Sequence, residues 1–568
     1  QMLVPGLTFT QSLSSSALFL RGVGSSYSPA GGESPTAFYI DDVYRSSTSG
    51  AFFSLNNIES IEVLKGPQGT LFGRNATGGV VNVRSKDPGN EAAARVSLDS
   101  GNYGLMTGDI YLSGPVSEVV NGSFTAYYSD HDGYGRNVVT GNEAFYNPTQ
   151  AYNGKLHTHL QDTSIKFAID WSEEIDMNGV ALLYFPSSVN SITQTQLYAG
   201  DYNTTGNINN KNTNTQYGSS LSLENALNGA QFKSITAYRY TGIDLVQDGD
   251  RTPLALTLRE ITTTAKAFTQ ELQLLAPPAS PINWIVGVFV MDETSAYQSP
   301  QTQLTTTSQT KISDTEGNTQ SYALFGQTTL PVTDLAKLSF GARFTHDERQ
   351  VSDRQVFVSS EGVTTETQGE VSGSWAEPTW RLALDYHFTA EVMGYLSYNR
   401  GFKAGLFNMS PFNALPVNPE IMDAVEIGIK SVSLNNRLRF NAAAYHYEYD
   451  DLQVQGNVSI DDATFNILFN AASATINGLD IDAEFVLSQN LHLLAGFALV
   501  DGEYDEISGV PFSVPNLEGG NTRTPQDMTG LALFRTPKYS SNLAATYKIP
   551  SDAGNVILSA SWSYNSEY

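Results

Sequence analysis

From about residue 92 to the end of the chain, apolar and polar residues alternate in long runs. Trp380, Leu382, Leu384, Tyr386 and Phe388 take turns with Arg381, Ala383, Asp385 and His387. Leu338, Phe340, Ala342 and Phe344 do so with Ser339, Gly341, Arg343 and Thr345, and Val556, Leu558, Ala560, Trp562 and Tyr564 with Ile557, Ser559, Ser561 and Ser563. A period of two sends successive side chains to opposite faces of a sheet, so each run predicts a strand with one apolar and one mostly polar face. Brief polar breaks at Gln161-Asp162, Val332 to Asp334, Thr389-Ala390 and Asn435-Asn436 predict tight turns. Longer polar stretches near 129–150, 187–216, 246–265, 296–318, 352–373, 403–420, 450–465 and 506–537 predict loops. Roughly nineteen candidate strands result.

A soluble sandwich would alternate in the same way, so the connections decide. Short turns at one end and long loops at the other are the asymmetry of an outer-membrane barrel. Aromatics near strand ends, such as Tyr445, Tyr447 and Tyr449, suit an interfacial girdle. No stretch approaches the ~18 consecutive apolar residues of a transmembrane helix. That leaves a barrel open, because its strands need only about ten residues with alternate positions apolar.

The first ninety residues are different: dense in small residues and broken into short runs. Ala17 to Gly22 reads as a strand ending in a turn, Thr36 to Val43 as a second, and Ile58 to Leu64 as a third that Lys65-Gly66-Pro67-Gln68-Gly69 interrupts. Gly78 and Gly79 precede a fourth, Val80 to Val83. This segment predicts a small mixed globular unit. Gly73 to Gly79 is glycine-rich like a phosphate cradle, but the G-x-x-x-x-G-K-[ST] pattern is absent and no helix-forming run follows.

Composition narrows the function. The 568 residues carry 31 basic and 58 acidic side chains, a net charge of −27, which disfavours nucleic acid. Cysteine is absent, which excludes disulfides, thiolate metal sites and a cysteine nucleophile. Seven scattered histidines and no G-x-S-x-G element give no catalytic constellation, so no enzyme is expected. His157 and His159 share one strand face, but no third metal ligand is evident. Asp248, Asp250 and Asp450-Asp451 read as solvated loop charge. Neither a cofactor nor a metal is expected.

Ile58 to Lys86, IESIEVLKGPQGTLFGRNATGGVVNVRSK, closely resembles the plug-domain signature of TonB-dependent outer-membrane receptors. The earlier PGLTF, FLRGVG and AFYIDDVYR segments stand in that family's plug order, and residues 395–403 and 418–430 resemble barrel motifs of it. The resemblance implies a mostly β fold: a 22-stranded antiparallel transmembrane β-barrel, about nineteen strands of it present, with a small mixed α/β plug in the lumen. The plug would span residues 1–90 and the barrel 91–568. The chain would be trimmed at both ends, with a TonB box before Gln1 and about three strands after Tyr568.

The resemblance also implies site residues. Two basic plug groups meet barrel-wall carboxylates in the family as an ionic latch; by motif these are Arg21, Lys65, Glu271 and Glu426, with Arg74 as a further member. Lysine at 65 keeps the charge but loses the bidentate fork of arginine. Solute recognition is expected on the outward apex of the plug, from Tyr27, Tyr44, Arg45, Phe52 and Phe53, where aromatics offer area and Arg45 a grip on acidic groups. Expected partners are TonB, outer-membrane lipid and a small-molecule or metal-chelate solute, in the outer membrane of a Gram-negative bacterium. The implied function is energy-coupled uptake of a scarce solute, a ferric siderophore or another organic nutrient. The alternative is a plugged barrel with a surface-binding or structural role.

Overall fold

The computed structural model describes residues 4–12, 15–25, 31–47, 57–177, 199–249, 252–255, 257–303, 309–460, 463–507, 510–515, 521–552 and 554–567. Nineteen strands, from Ala93–Ser100 to Gly554–Asn565, form one antiparallel sheet curled into a barrel. Each strand pairs with its neighbours in chain order. The predicted tight turns fall within the observed connections 161–162, 332–335, 388–391 and 434–437, which all join adjacent strands at one end.

The burial pattern is that of a sheet facing lipid. On Ala336–Val358, Ser339, Arg343, Thr345, Asp347, Arg349 and Asp353 are buried, while Phe340 and Phe344 are 57% and 54% exposed. In water this would be the wrong way round, since each exposed Phe forfeits about 1.5–3 kcal/mol of burial. With hydrocarbon outside and a filled polar lumen inside, the same assignment is favourable.

Several polar stretches predicted as loops are instead strands. Asn283–Gln303 and Gln309–Pro331 take up most of 296–318, and Ala336–Val358 and Thr364–His387 most of 352–373. A strand of this length spans roughly 75 Å, against about 40 Å needed to cross a tilted bilayer core. The hairpins therefore stand clear of the membrane, and their ends are polar because they meet water. Stretches 403–420 and 506–537 hold further hairpins, Leu406–Met409 with Phe412–Val417 and Val510–Pro515 with Asn521–Gln526.

Tyr445, Tyr447 and Tyr449 do not form a girdle. They are buried and face the lumen, while the intervening His446 and Glu448 face outward. Their parity on Leu438–Ile460 decides this, not their nearness to a strand end.

The leading segment forms two small sheets, with no helix among its described residues where a mixed α/β unit was expected. One sheet joins Leu7–Ser12, Ser15–Leu20 and Val23–Gly24. In the other, Thr36–Ile40 lies between Val43–Arg45 and a parallel partner, Gly79–Ser85, which also pairs with Ile58–Lys65. Its side chains reach wall strands all around the ring: Asp41 meets Lys155, Asp42 meets Lys233, Arg74 meets Asp347 and Arg21 meets Glu426. Only a unit inside the bore can touch walls on every side, so this segment is a plug.

Candidate functional site

Arg21 sits at the turn between Ser15–Leu20 and Val23–Gly24, with φ at 54°. This left-handed conformation costs a non-glycine residue about 1–2 kcal/mol, and it aims the side chain at the wall. The guanidinium donates to Glu426 at 2.6 Å and to Asp480 at 2.8 Å. It also donates to the Tyr447 hydroxyl and lies 4.0 Å from the centre of the Tyr445 ring. Burial opposes its charge, but Tyr447, Asp480 and Glu426 outweigh burial and hold its pKa well above the ordinary value. Lys65 reaches Asp480 at 3.1 Å, and Glu426 also accepts from the Tyr395 hydroxyl at 2.6 Å. Gly66, at φ 79°, follows Lys65; a Cβ there would lie 2.7 Å from the Tyr447 hydroxyl, so the tyrosine is seated against bare backbone.

A second cluster centres on Glu33. Its carboxylate accepts from Arg74 of the plug at 2.6 Å and from Arg349 of the wall at 3.0 Å. Arg349 also donates to the Gly31 carbonyl at 2.7 Å, and Arg74 to Asp347 at 3.1 Å. Burial would raise the Glu33 pKa, but the Arg74 and Arg349 charges prevail and hold it below the usual carboxylate range. Next to Arg74, Asn75 donates to the Phe402 carbonyl at 2.9 Å and accepts from the Ala404 amide at 2.9 Å, stitching the plug to another wall strand.

On a third side the polarity is reversed. Plug carboxylates meet wall lysines: Asp41 with Lys155 at 3.0 Å, Asp87 with Lys166 at 2.5 Å and Asp42 with Lys233 at 2.7 Å. Apolar contact complements these ions, with Tyr39, Tyr44, Ala76 and Val80 packed on Phe289, Met291 and Phe325.

The structure brings Arg21, Lys65 and Glu426 together but leaves Glu271 apart. Glu271 accepts from Gln273 at 2.5 Å, and Asp480 stands where it was expected. Asp480 went unnoticed although Leu479 and Ile481 flank it, an alternation that points it into the lumen. Glu33, Asp347 and Arg349 were also missed. Glu33 lies outside every strand pattern of the plug, and pairing across the bore leaves no local pattern.

Of the expected apical residues, Tyr27, Phe52 and Phe53 lie outside the described residues. Tyr44 and Arg45 sit against the plug and the wall, not at an open apex. Tyr44 is buried and accepts from the Asn75 amide at 3.0 Å. Arg45 faces Asp170 at 3.8 Å on the wall, and burial, with Arg239 nearby, lowers its pKa to about 9. Both lie on Val43–Arg45, an edge strand turned towards the barrel. His157 and His159 have ring centres 4.5 Å apart, and no group of three potential metal ligands occurs among the described residues.

Comparison with known proteins agrees with this geometry. Residues 1–80 match the family model described as TonB-dependent receptor plug domain, and residues 99–568 the one described as TonB dependent receptor-like, beta-barrel. The pesticin receptor of Yersinia enterocolitica is 24% identical over 522 residues, covering 85% of this chain and 69% of that protein. The crystal structure of the ferric yersiniabactin uptake receptor FyuA from Yersinia pestis superimposes with a TM-score of 0.79 at 18% identity, covering 98% of this chain and 81% of that one. The siderophore receptor PiuA from Acinetobacter baumannii gives 0.72 at 15% identity, covering 99% and 86%. The chain belongs to the TonB-dependent receptors, plugged β-barrels of the Gram-negative outer membrane that bind and carry solutes and are not enzymes.

Proposed function

We propose that this receptor takes up a scarce solute by energy-coupled transport, with ferric siderophores as the leading solute class. The observation that carries the proposal is the plug's seat. A barrel of this size needs filling, and here the filling is held by charges that can exchange partners with water. Arg21 and Lys65 on the plug, with Glu426 and Asp480 on the wall, are assigned as the latch; Arg74, Glu33, Asp347 and Arg349 form its second point. In this reading solute binds above the plug and favours a state in which TonB engages a segment preceding it; force transmitted through TonB then shifts the plug. The relatives named for siderophore uptake support the solute class.

The test is accumulation of iron-55, supplied on hydroxamate and on catecholate chelators, by cells whose only such receptor is this chain in full length. Uptake that stops when the proton gradient is collapsed is the expected result. Undiminished accumulation without the gradient would remove energy coupling. Energised cells that take up neither chelate would remove the siderophore assignment.

A further inference from the structure

The plug is held tightly to one wall and loosely to another. Towards Glu420–Ser433 and Ala463–Ser488, Arg21 and Asp480 are 4% and 5% exposed as side chains, and Val23 packs into an apolar cluster with Ala424, Ala474 and Ile476. Towards Thr149–Leu160, Thr163–Met177, Lys211–Leu227 and Ala230–Asp248, Arg45 stands 3.8 Å from Asp170 at 12% and 17% exposed and Lys155 is 8% exposed beside Asp41 at 27%, but the other pairs are wetter: Asp87 and Lys166 are 42% and 40% exposed, and Asp42 is 41%. Pairs this exposed contribute about 0–1 kcal/mol each, whereas losing one partner of a buried pair costs about 3–5 kcal/mol.

The loose side also contains two polar cavities. The upper, about 40 Å³, lies between Arg45 and Asn57 of the plug and Asn153, Ala168, Asp170 and Ser220 of the wall. The lower, about 140 Å³, shares Asp41, Ser85, Ala168 and Ser220 with it and runs on to Asp87, Lys166 and Glu224. Among the described residues, four polar atoms of residues lining the upper cavity have no partner: both amide atoms of Asn57, Arg45 Nε and Asn153 Oδ1. Asn57 is 4% exposed. Such groups cost about 1–3 kcal/mol each when left dry, so they favour water or another hydrogen-bonding molecule between plug and wall.

We propose that this seam, between Val43–Arg45 with Asn57 and the wall from Thr149 to Asp248, is where the plug parts from the barrel and where the solute passes, while the Arg21 side acts as the pivot. The seam's mixed donors and acceptors suit a solute rich in hydrogen-bonding oxygen atoms. The inference rests on the transport reading above, and its test separates the two.

The chain has no cysteine, so single introduced thiols report cleanly. Asn57→Cys and Ala474→Cys place thiols at sites equally closed, 4% and 1% exposed, on the loose and tight sides. In the purified full-length receptor, a urea ramp below barrel unfolding should accelerate maleimide labelling at Asn57→Cys first, by about tenfold over Ala474→Cys. In living cells, an impermeant maleimide added outside should reach Asn57→Cys only while the proton gradient stands. Bridging Val43→Cys to Ala237→Cys, neighbours in one buried cluster, should abolish that labelling. If Ala474→Cys labels first, or both accelerate together, the seam assignment is overturned and transport is untouched. If the urea order holds but labelling in cells ignores the gradient, passage along the seam falls together with the transport reading.

Discussion

Replacing Arg21 by methionine should free the plug from its tight wall. The side chain makes ionic hydrogen bonds at 2.6 Å and 2.8 Å, donates to Tyr447 and stacks 4.0 Å above the Tyr445 ring. Deleting one member of a buried ion cluster costs about 3–5 kcal/mol, mostly because the remaining charges lose their partner. Here the loss is softened. Asp480 keeps Lys65 at 3.1 Å, and Glu426 keeps the Tyr395 hydroxyl at 2.6 Å and is 18% exposed, open enough to take up water. About 2–4 kcal/mol is then expected, a rise of roughly 30- to 900-fold in the undocked population. Maleimide labelling of Ala474→Cys in an otherwise cysteine-free chain measures that population directly, provided redocking outpaces labelling. Arg21→Lys, which keeps the charge but not the fork, should fall between wild type and methionine. A change below about threefold in the methionine variant would refute the argument, because a buried two-carboxylate anchor cannot be lost so cheaply.

Glu271→Gln should shift docking by less than about 0.5 kcal/mol, since Glu271 faces Gln273 and no plug cation; labelling as fast as in the Arg21 variant would restore it to the latch. Gly73→Ala should weaken docking by about 1–3 kcal/mol, because φ is 78° and the new Cβ would lie 2.5 Å from Arg343 Nη2; the same labelling assay reads it, and an unchanged rate would mean that Arg343 moves freely. Glu33 gives a pH dependence. Its folded pKa is depressed, so its contribution is complete above the unfolded value near 4.3 and is lost as pH falls through the lower folded value. Plug docking should therefore weaken below about pH 4, and Glu33→Gln should flatten that slope while weakening docking at pH 7; an identical acid profile in the variant would exclude Glu33 as its source.

The barrel was legible in the sequence because its signal is repeated. Each strand alternates along its own length, and one misread residue changes nothing. The site is a set of single residues brought together across the bore. Glu426 and Asp480 lie on different strands, and only the pairing register sets them at one height facing Arg21. The local pattern could say that Asp480 points inward; it could not say which inward acid meets Arg21, so Glu271 was equally eligible. The tyrosines at 445, 447 and 449 show the same limit. Period two assigns them one face, but apolar rings with a polar hydroxyl suit either the membrane interface or a lumen that supplies partners. Glu420 on the next strand, which takes the Tyr449 hydroxyl, and Arg21, far away in sequence, which meets Tyr447 and Tyr445, make it the lumen.

The distribution of charge over the plug bears on how it can move. A plug seated by apolar contact alone would expose dry surface whenever it shifted, at about 25 cal/mol for each Å². Its own contacts are mixed: Tyr39, Tyr44 and Val80 meet an apolar wall, while the other sides are ionic. Ions in a wet lumen can trade a protein partner for water at small net cost where they are already half exposed, and at large cost where they are buried. Asp42–Lys233 and Asp87–Lys166 belong to the first class, Arg21–Asp480 and Arg74–Glu33 to the second. A pull on the plug therefore meets unequal resistance around the ring, and the motion of least cost is a tilt away from the lysine-bearing wall. Straight extraction would have to break both buried clusters at once, so a plug that moved as a rigid piston would contradict the energetics of its own seat.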